Sequence, residues 1–541
     1  MKRILALALT AVLGMSLLAG CSSDDSAGGS DVPQKVVHNL GADPASVDPA
    51  LNEAVDGSQV LHSAFEGLTR TDADEQPIPG VAETWDVSED GLTYTFHLRD
   101  SKWSDGEPVV AADFEYAWKR ALDPATAAGY AYQMYYLLNG QKANAGEVSV
   151  DEIGVKALDE KTLEVKLESP TPYFLQLTAF PCYFPVRKDI VEADPEGWAL
   201  NPETYISNGP FTMTEWTHND VLRLVKNENY YDAENVKIEE IEYVMIVEGS
   251  TAFSAFQSGE IDYTESVPAD QIVQLQEASD PNFNIFRYIG TYFYCFNMND
   301  ELMKDVKVRE ALSLAIDREA IVTNVTKGGQ MPANGFVSEG IATSAGESFR
   351  TLAGDYGVPV KADVEKAKAL LAEAGYPDGA GFPELELLYN TNEGHKAIAE
   401  AVQEMWKQNL GINVTLRNEE WKVFQENRKN GNYTVARHGW IGDYADPMTF
   451  LEMWTTGAGT NDAKYANPEY DKLINDSKFA SGAERDTILK DAEALLAKDL
   501  PVMPIYYYTN PALMRTTIKE APKSSLGPVF YRNAYVEAAA E

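Results

Sequence analysis

The sequence predicts an α/β protein with more than one lobe. Residues 395–410 and 421–428 have the 3.6-residue hydrophobic period of helices, whereas residues 412–416 and 433–439 have the two-residue period of strands. This order of helix, strand, helix and strand indicates a parallel sheet covered by helices. The chain has 541 residues, more than one hydrophobic core normally serves, so we expect two or three lobes.

The N-terminus has the three parts of a secretory signal. A positively charged start, an apolar segment at residues 4–18 and small residues before Cys21 are typical of a segment that is cleaved on export. The apolar segment is too short to cross a membrane as a helix. We therefore expect residues 1–20 to be a signal peptide and the small, polar residues 21–31 to be a flexible tether.

Composition and motifs argue against several classes of function. The 84 acidic and 44 basic residues give a formal net charge of −40, which disfavours nucleic-acid binding because phosphate contacts need clustered cations. The six histidines include no pair at the spacing of a zinc helix, and no nucleophile elbow or phosphate-binding loop occurs. We therefore expect no metal, no cofactor and no catalytic activity. Acid catalysis by two carboxylates stays open as an alternative.

The three cysteines are too few for a dense set of disulfides. Cys21 follows the small residues that end the signal, which leaves Cys182 and Cys295. One disulfide between these two is compatible with the sequence, which does not decide whether it forms. The fold must then depend mainly on core burial.

The stretch 433–447 carries the main prediction of a binding site. Arg437 lies near the end of its predicted strand and Asp443 lies just past it, with Gly439 and Gly442 expected to interrupt the strand. Ligands of open α/β sheets bind outside the carboxyl ends of the strands. A cation and a carboxylate in this place suit a ligand that carries both charges. The alternatives are a structural ion pair for the arginine and a turn role for the aspartate.

Several segments together resemble one known family. They are Leu-Ala-Gly-Cys ending at Cys21, which is similar to a bacterial lipobox, Trp-Ser-Asp-Gly-Glu-Pro at 103–108, Asn-Gly-Pro-Phe at 208–211, Val-Arg-Glu-Ala-Leu at 308–312, and the stretch 433–447. They resemble the oligopeptide-binding lipoproteins of bacterial ABC transporters over nearly the whole mature chain. The resemblance implies an α/β fold of the type II periplasmic-binding-protein kind, in which two lobes with an extra subdomain close on a hinge.

The resemblance also implies how the chain is divided and where the protein resides. Lobe I is expected at residues 32–65, 189–289 and 511–541, the extra subdomain at 66–188, and lobe II at 290–510. Cys21 would become the lipid-carrying N-terminus and anchor a monomer on the extracytoplasmic face of the membrane.

Members of this family bind short peptides between the lobes, partly by main-chain pairing, and deliver them to an ABC permease. Asp443 is similar to the carboxylate that binds the peptide α-amino group, and Arg437 to the residue that binds the C-terminus of a tripeptide. His395 and Lys327 are similar to cations that serve other peptide lengths. The other matched positions are Glu53, Ala54, Val55, Gly439 and Ile441 for strand pairing, and Tyr130, Trp421, Arg428 and Trp440 for pocket walls.

Departures from the family pattern leave the ligand preference open. Gly290 and Ile441 stand where some relatives have a disulfide, and Cys295 stands at a pocket position that is acidic elsewhere. Alternatives on the same fold are a dipeptide, a nickel complex, haem or an oligosaccharide as ligand. Alternatives of another class are a surface hydrolase and an adhesin or sensor that binds peptide without transport.

Overall fold

The computed structural model describes residues 32–72 and 75–539. The predicted signal peptide, Cys21 and the tether lie outside these residues. Within the described ranges no helix is both long enough and apolar enough to cross a membrane. The same ranges contain no cluster of His, Cys, Asp or Glu side chains suited to hold a metal ion.

The strands of the described chain form one large sheet and three small ones. In chain order they are β1 (Lys35–Asn39), β2 (Thr69–Thr71), β3 (Pro77–Pro79), β4 (Ala82–Val87), β5 (Thr93–Leu98), β6 (Val155–Ala157), β7 (Thr162–Lys166), β8 (Phe211–Thr217), β9 (Val221–Lys226), β10 (Glu240–Val244), β11 (Tyr263–Thr264), β12 (Phe283–Phe296), β13 (Met331–Pro332), β14 (Leu385–Asn390), β15 (Val414–Glu419), β16 (Val435–Ile441), β17 (Val502–Met514), β18 (Ile518–Lys519) and β19 (Tyr535–Val536). The large sheet has the order β15-β14-β16-β12-β17-β11-β1-β10-β9-β8, with β13 paired to β17.

Helices cover the sheets. In chain order they are α1 (Val55–Ala64), α2 (Ala111–Leu122), α3 (Gly140–Asn144), α4 (Phe174–Leu177), α5 (Lys188–Ala193), α6 (Gly249–Ser258), α7 (Ala269–Ala278), α8 (Val306–Leu314), α9 (Arg318–Ala320), α10 (Phe349–Ala353), α11 (Val364–Glu373), α12 (Glu393–Leu410), α13 (Trp421–Lys429), α14 (Met448–Leu451), α15 (Pro468–Ser477) and α16 (Gly482–Asp499). The apolar face of α12, with Ile398, Val402 and Trp406, is buried in the core that contains β14.

One end of the large sheet confirms the predicted alternation of helices and strands. β14 pairs in parallel with β15 and β16, and α12 and α13 form the connections between these strands. α12 is capped at its C-terminal end by Gly411, whose φ of 70° suits glycine. The predicted interruption at Gly439 is wrong, because β16 continues to Ile441 in antiparallel pairing with β12. The sheet is therefore mixed rather than purely parallel.

Two long strands connect the two ends of the large sheet. β12 has 14 residues and β17 has 13, and they pair with each other in antiparallel fashion along most of their length. The start of β12 lies beside the part of β17 that pairs with β11, and the end of β12 pairs with β16. The pairing register shifts between Arg287 and Thr291. The lobe boundaries predicted after residues 289 and 510 fall within these strands, and the division stays a prediction.

The interval predicted to be the extra subdomain contains its own four-stranded sheet. The strand order is β4-β5-β7-β6, and α2 lies against it with Phe114 and Trp118 fully buried. The Trp118 indole N–H donates to the carbonyl of Tyr183 at 2.8 Å. A short 3-10 helix at Gly129–Met134 follows α2. This segment contributes to the candidate site.

The two described cysteines are free and buried, so the disulfide that the sequence left open does not form. The sulfur of Cys182 lies 3.9 Å from the amide oxygen of Gln133. The sulfur of Cys295 lies 3.3 Å from the hydroxyl of Tyr433.

Candidate functional site

A cavity of about 500 Å³ lies between the β14–β16 end of the large sheet, the start of α1 and the Gly129–Met134 segment. Eleven of the thirteen residues predicted to bind the ligand line this cavity. The eleven are Glu53, Ala54, Val55, Tyr130, Trp421, Arg428, Arg437, Gly439, Trp440, Ile441 and Asp443. His395 and Lys327 are missing from the described residues that line the cavity. The structure therefore brings most of the predicted site together.

Arg437 presents a buried cation to this cavity. Its guanidinium donates to the hydroxyl of Tyr508 at 3.0 Å and to the side-chain oxygen of Asn390 at 3.4 Å, and it lies 4.9 Å from the centre of the Tyr292 ring. Its Nε has no hydrogen-bond partner among the described residues. All of these contacts are with neutral groups. A buried guanidinium without a countercharge is costly, so an anion bound here would be strongly stabilised.

Asp443 presents the opposite charge to the same cavity. Its carboxylate accepts hydrogen bonds from the Gln133 amide at 2.5 Å and from the hydroxyls of Tyr130 and Thr449, both at 3.3 Å. Burial, and to a lesser degree the charge of Glu452, raise the pKa of Asp443 well above its usual value. These donors are neutral. A bound ammonium group would supply the missing positive charge and favour the ionised carboxylate.

An unpaired edge of β16 connects the two charged groups. β14 pairs with only the first two residues of β16, so in the described chain the rest of that edge has no partner strand. The N–H of Gly442 donates to the carbonyl of Ile289 on the β12 side. Backbone N–H and C=O groups alternate between the two sides of a strand, so those of Gly439 and Ile441 point to the open side. There, the N–H and the carbonyl oxygen of Gly439 lie 2.8 Å and 2.9 Å from Nδ1 of the neighbouring His438 ring, and no strand of the described chain pairs with them.

The opposite wall, at residues 53–55, offers less free backbone than the sequence predicts. Ala54 is extended, with φ −140° and ψ 156°, but α1 begins at the next residue. The Ala54 carbonyl accepts the Ser58 N–H at 3.0 Å, and the Ala54 N–H donates to the Asn52 side chain at 3.3 Å. Strand pairing by Ala54 would therefore require these contacts to break.

The predicted pocket walls hold one another in place. The rings of Tyr130 and Trp440 are stacked, with centroids 6.0 Å apart and an interplanar angle of 19°. The Trp421 indole N–H donates to Asp56 at 2.9 Å, across the cavity. Burial raises the pKa of Asp56 to about 6. The aromatic rings thus give the cavity rigid, largely apolar sides.

His395 and Lys327 differ from the other predicted ligand residues. Burial and the charge of Arg437 hold the pKa of His395 well below its usual value, so its ring is neutral rather than cationic at neutral pH. Lys327 follows a π-helical turn at Ile321–Thr326 and has a φ of 57°. Their predicted roles with other peptide lengths stay predictions.

Sequence reasoning missed Gln133 and Thr449 as groups that bind the Asp443 carboxylate. Tyr130 is predicted as a pocket wall, but nothing in the sequence distinguishes the nearby Gln133. Gln133 and Asp443 are 310 residues apart in the chain, so only the fold reveals their contact.

Comparisons with known proteins place the chain in a family. The model for bacterial extracellular solute-binding proteins, family 5 middle, matches residues 76–462. The oligopeptide-binding protein OppA of Bacillus subtilis is 40% identical over 509 residues, covering 92% of each chain. The dipeptide-binding protein DppE of the same organism is 38% identical and covers 97% of this chain and 98% of DppE.

The structural comparison extends this similarity to the whole fold. The crystal structure of Haemophilus influenzae OppA in complex with RPPGFSPFR aligns with a TM-score of 0.89 and 35% identity, covering 94% of this chain and 99% of that chain. The predicted two-lobe α/β fold is confirmed. The chain belongs to family 5 of the bacterial extracellular solute-binding proteins.

Proposed function

We propose that this protein captures short peptides in the cavity by binding both of their charged ends. The observation that carries the proposal is that Asp443 and Arg437 line one cavity, while their side-chain hydrogen bonds within the described chain are all with neutral groups. A peptide with free ends carries an ammonium and a carboxylate, so it neutralises both residues at once. An uncharged sugar would neutralise neither.

The open edge of β16 supports an extended peptide between these ends. An added strand forms main-chain hydrogen bonds that do not depend on the peptide sequence. Gly439 and Ile441 supply the backbone groups on this edge. The absence of a side chain matters at Gly439, because a Cβ there would lie 2.4 Å from the Tyr508 hydroxyl. This arrangement accounts for capture of many different sequences.

Peptide binding favours a closed form of the molecule. Contacts already cross the cavity: the Lys422 ammonium lies 2.7 Å from Asp43, and the Lys429 ammonium lies 2.7 Å from Glu53. A peptide that contacts both walls adds further contacts that exist only when the walls are close together, and it therefore shifts the equilibrium toward closure.

The closed, loaded protein then delivers its peptide to the permease of an ABC transporter. The protein acts as a monomer, tethered outside the cytoplasm by lipid on Cys21. The lipobox-like sequence and the family to which the chain belongs support this role.

Expression of Cys21→Ala in a bacterial host tests the tether: the variant should leave the membrane fraction, and retention there would contradict lipid anchoring.

Mass spectrometry of ligand released from the purified, denatured protein tests the proposed function. A set of short peptides is the expected result. Titration calorimetry of the refolded protein should then detect binding of trialanine and its loss on N-acetylation or C-terminal amidation. Release of a sugar or a metal complex, together with no heat from trialanine, would overturn the proposal. Recovery of unchanged trialanine after incubation separates binding from hydrolysis.

Dipeptides are a second candidate ligand, favoured by the 38% identity to DppE over nearly the whole chain. A series from dialanine to pentaalanine distinguishes the two candidates. Tightest binding of dialanine would favour the dipeptide interpretation, whereas tightest binding of trialanine or longer peptides would favour capture of oligopeptides.

A further inference from the structure

We propose that the inner cleft selects peptides whose side chains are uncharged. This inference rests on the proposed function and specifies its substrate class. It comes from the way in which the charged side chains around the cavity are paired. Among the described residues that line the cavity, charges other than those of Asp443 and Arg437 are neutralised by protein partners, except at the solvent-exposed Glu426.

The most enclosed of these charges belong to Arg428 and Asp462. The Arg428 Nε donates to the Asp462 carboxylate at 2.6 Å, and the two side chains are only 12% and 6% exposed. His438 lies 3.4 Å from the same carboxylate. Although burial opposes ionisation, Arg428 and His438 hold the pKa of Asp462 down to about 2. Arg428 is therefore already satisfied by the protein.

The remaining cations on α13 are paired in the same way. Lys429 lies 2.7 Å from Glu53, and Lys422 lies 2.7 Å from Asp43, whose side chain is fully buried. His438 is neutral, because burial and the nearby Arg428 lower its pKa to about 4. Apart from Glu426, a charged peptide side chain thus meets no free countercharge among the described side-chain walls of the cavity.

The unsatisfied groups of the side-chain walls are neutral. The indole N–H of Trp440 is buried without an acceptor, and the side-chain oxygen of Gln425 is buried without a donor, among the described residues. Both residues line the cavity. They can bind hydroxyl or amide side chains of a peptide, while Trp421 and Tyr130 pack against apolar ones.

Desolvation then determines the selectivity. A lysine or glutamate side chain that enters this cleft gives up water and either stays unpaired or competes for a partner in an existing ion pair. A glutamine or alanine side chain carries no such cost. We expect peptides with a buried lysine or glutamate to bind about tenfold or more weakly than their neutral counterparts, because a buried group without a partner is costly.

Titration calorimetry with tripeptides of alanine that carry one substitution tests this proposal. Alanine, glutamine, lysine and glutamate are compared at each of the three positions, so that the ends stay the same. Loss of affinity for lysine and glutamate at one position or more is expected. Equal affinity for all substitutions at every position would overturn the inference while leaving peptide capture intact. Failure of trialanine itself to bind would instead overturn the proposed function.

Two variants test whether the ion pairs cause the selectivity. Asp462→Asn leaves Arg428 unpaired and should reduce the preference for glutamine over glutamate by about tenfold. Lys429→Met leaves Glu53 unpaired and should reduce the preference for glutamine over lysine. Unchanged preferences in both folded variants would contradict the proposed cause.

The control is Asp232→Asn, which removes an ion pair with Arg532. Asp232 is not among the described residues that line the cavity, so this variant should keep the wild-type preferences. Circular dichroism checks that each variant folds. Lys429 is 46% exposed, so its replacement provides the test if loss of the buried Asp462 charge prevents folding.

Discussion

The two charged ends of the cavity draw their contacts from different parts of the molecule. The partners of Arg437 lie on neighbouring strands of the large sheet: Tyr508 on β17, Tyr292 on β12 and Asn390 on β14. Asp443 instead receives two of its three side-chain donors, Tyr130 and Gln133, from the Gly129–Met134 segment. That segment belongs to the interval predicted to be the extra subdomain.

This difference indicates an order of events. The contacts of Arg437 come from the sheet, so we expect this end to keep its geometry in an open form and to be ready for a peptide carboxylate. In the proposed closure, the Asp443 end becomes complete only when the Gly129–Met134 segment reaches it. We therefore expect the peptide carboxylate to bind first and the ammonium to bind as the molecule closes.

Replacement of Asp443 should produce the largest loss of affinity. Asp443→Asn keeps the size of the side chain but removes the charge that pairs with the ammonium. We expect tripeptide affinity to fall by about 2–5 kcal/mol, which is roughly 30-fold to several-thousand-fold. Titration calorimetry measures the change, with N-acetylated tripeptide as the matched ligand. Unchanged affinity for the free-amine peptide would remove Asp443 from the site.

Replacement of Arg437 should have the next largest effect, and its size should depend on peptide length. Arg437→Gln removes the cation that binds the tripeptide carboxylate, at an expected cost of about 2–3 kcal/mol. Pentapeptides should lose less, because their carboxylate lies beyond this residue. Calorimetry with both lengths checks this. Equal losses would show that Arg437 does not select the C-terminus of a tripeptide.

Acidification should weaken binding through Asp443. The pKa of this carboxyl is raised in the free protein, and a bound ammonium must lower it. Affinity is therefore complete above the free-state pKa and falls, by at most about tenfold per pH unit, as the pH drops through it. Calorimetry in buffers of different ionisation enthalpy should detect proton release on binding below that pKa. A pH profile identical to that of Asp443→Asn would contradict this linkage.

The smallest effect should come from Gln133, which couples the two parts of the molecule. Gln133→Leu removes one hydrogen bond to the Asp443 carboxylate, at an expected cost of about 1 kcal/mol or roughly fivefold in affinity. Loss of the donor should also raise the pKa of Asp443, so that binding weakens at a higher pH than in the wild type. A lower affinity without this shift would indicate only a structural role.

The sequence predicted the helices and strands at one end of the large sheet because their signals are local, and most of the predicted binding residues line one cavity there. The hydrophobic periodicities within residues 395–441 correspond to the helices α12 and α13 and the strands β15 and β16. Asp443 lies just past the end of β16, as expected. The error at Gly439 has a physical cause: the backbone pairing with β12 continues through the glycine, and a sequence pattern does not reveal the partner strand.

Long-range contacts account for what the sequence did not predict. The contact of Gln133 with Asp443 spans 310 residues, and no local pattern marks it. The neutral state of His395 depends on burial beside Arg437, which the sequence does not give. The same holds for Cys182 and Cys295, whose separate surroundings only the fold determines.

The paired strands β12 and β17 restrict how the molecule can move. Sliding one strand along the other would break the ladder of hydrogen bonds between them, whereas bending both strands together would keep most of it. The ladder is already interrupted by two register shifts, between Arg287 and Thr291 and between Tyr292 and Phe293, and we expect bending to meet least resistance in this part of the strands. The paired strands can therefore bend easily in essentially one direction. The two walls of the cavity should then return to the same alignment each time they close.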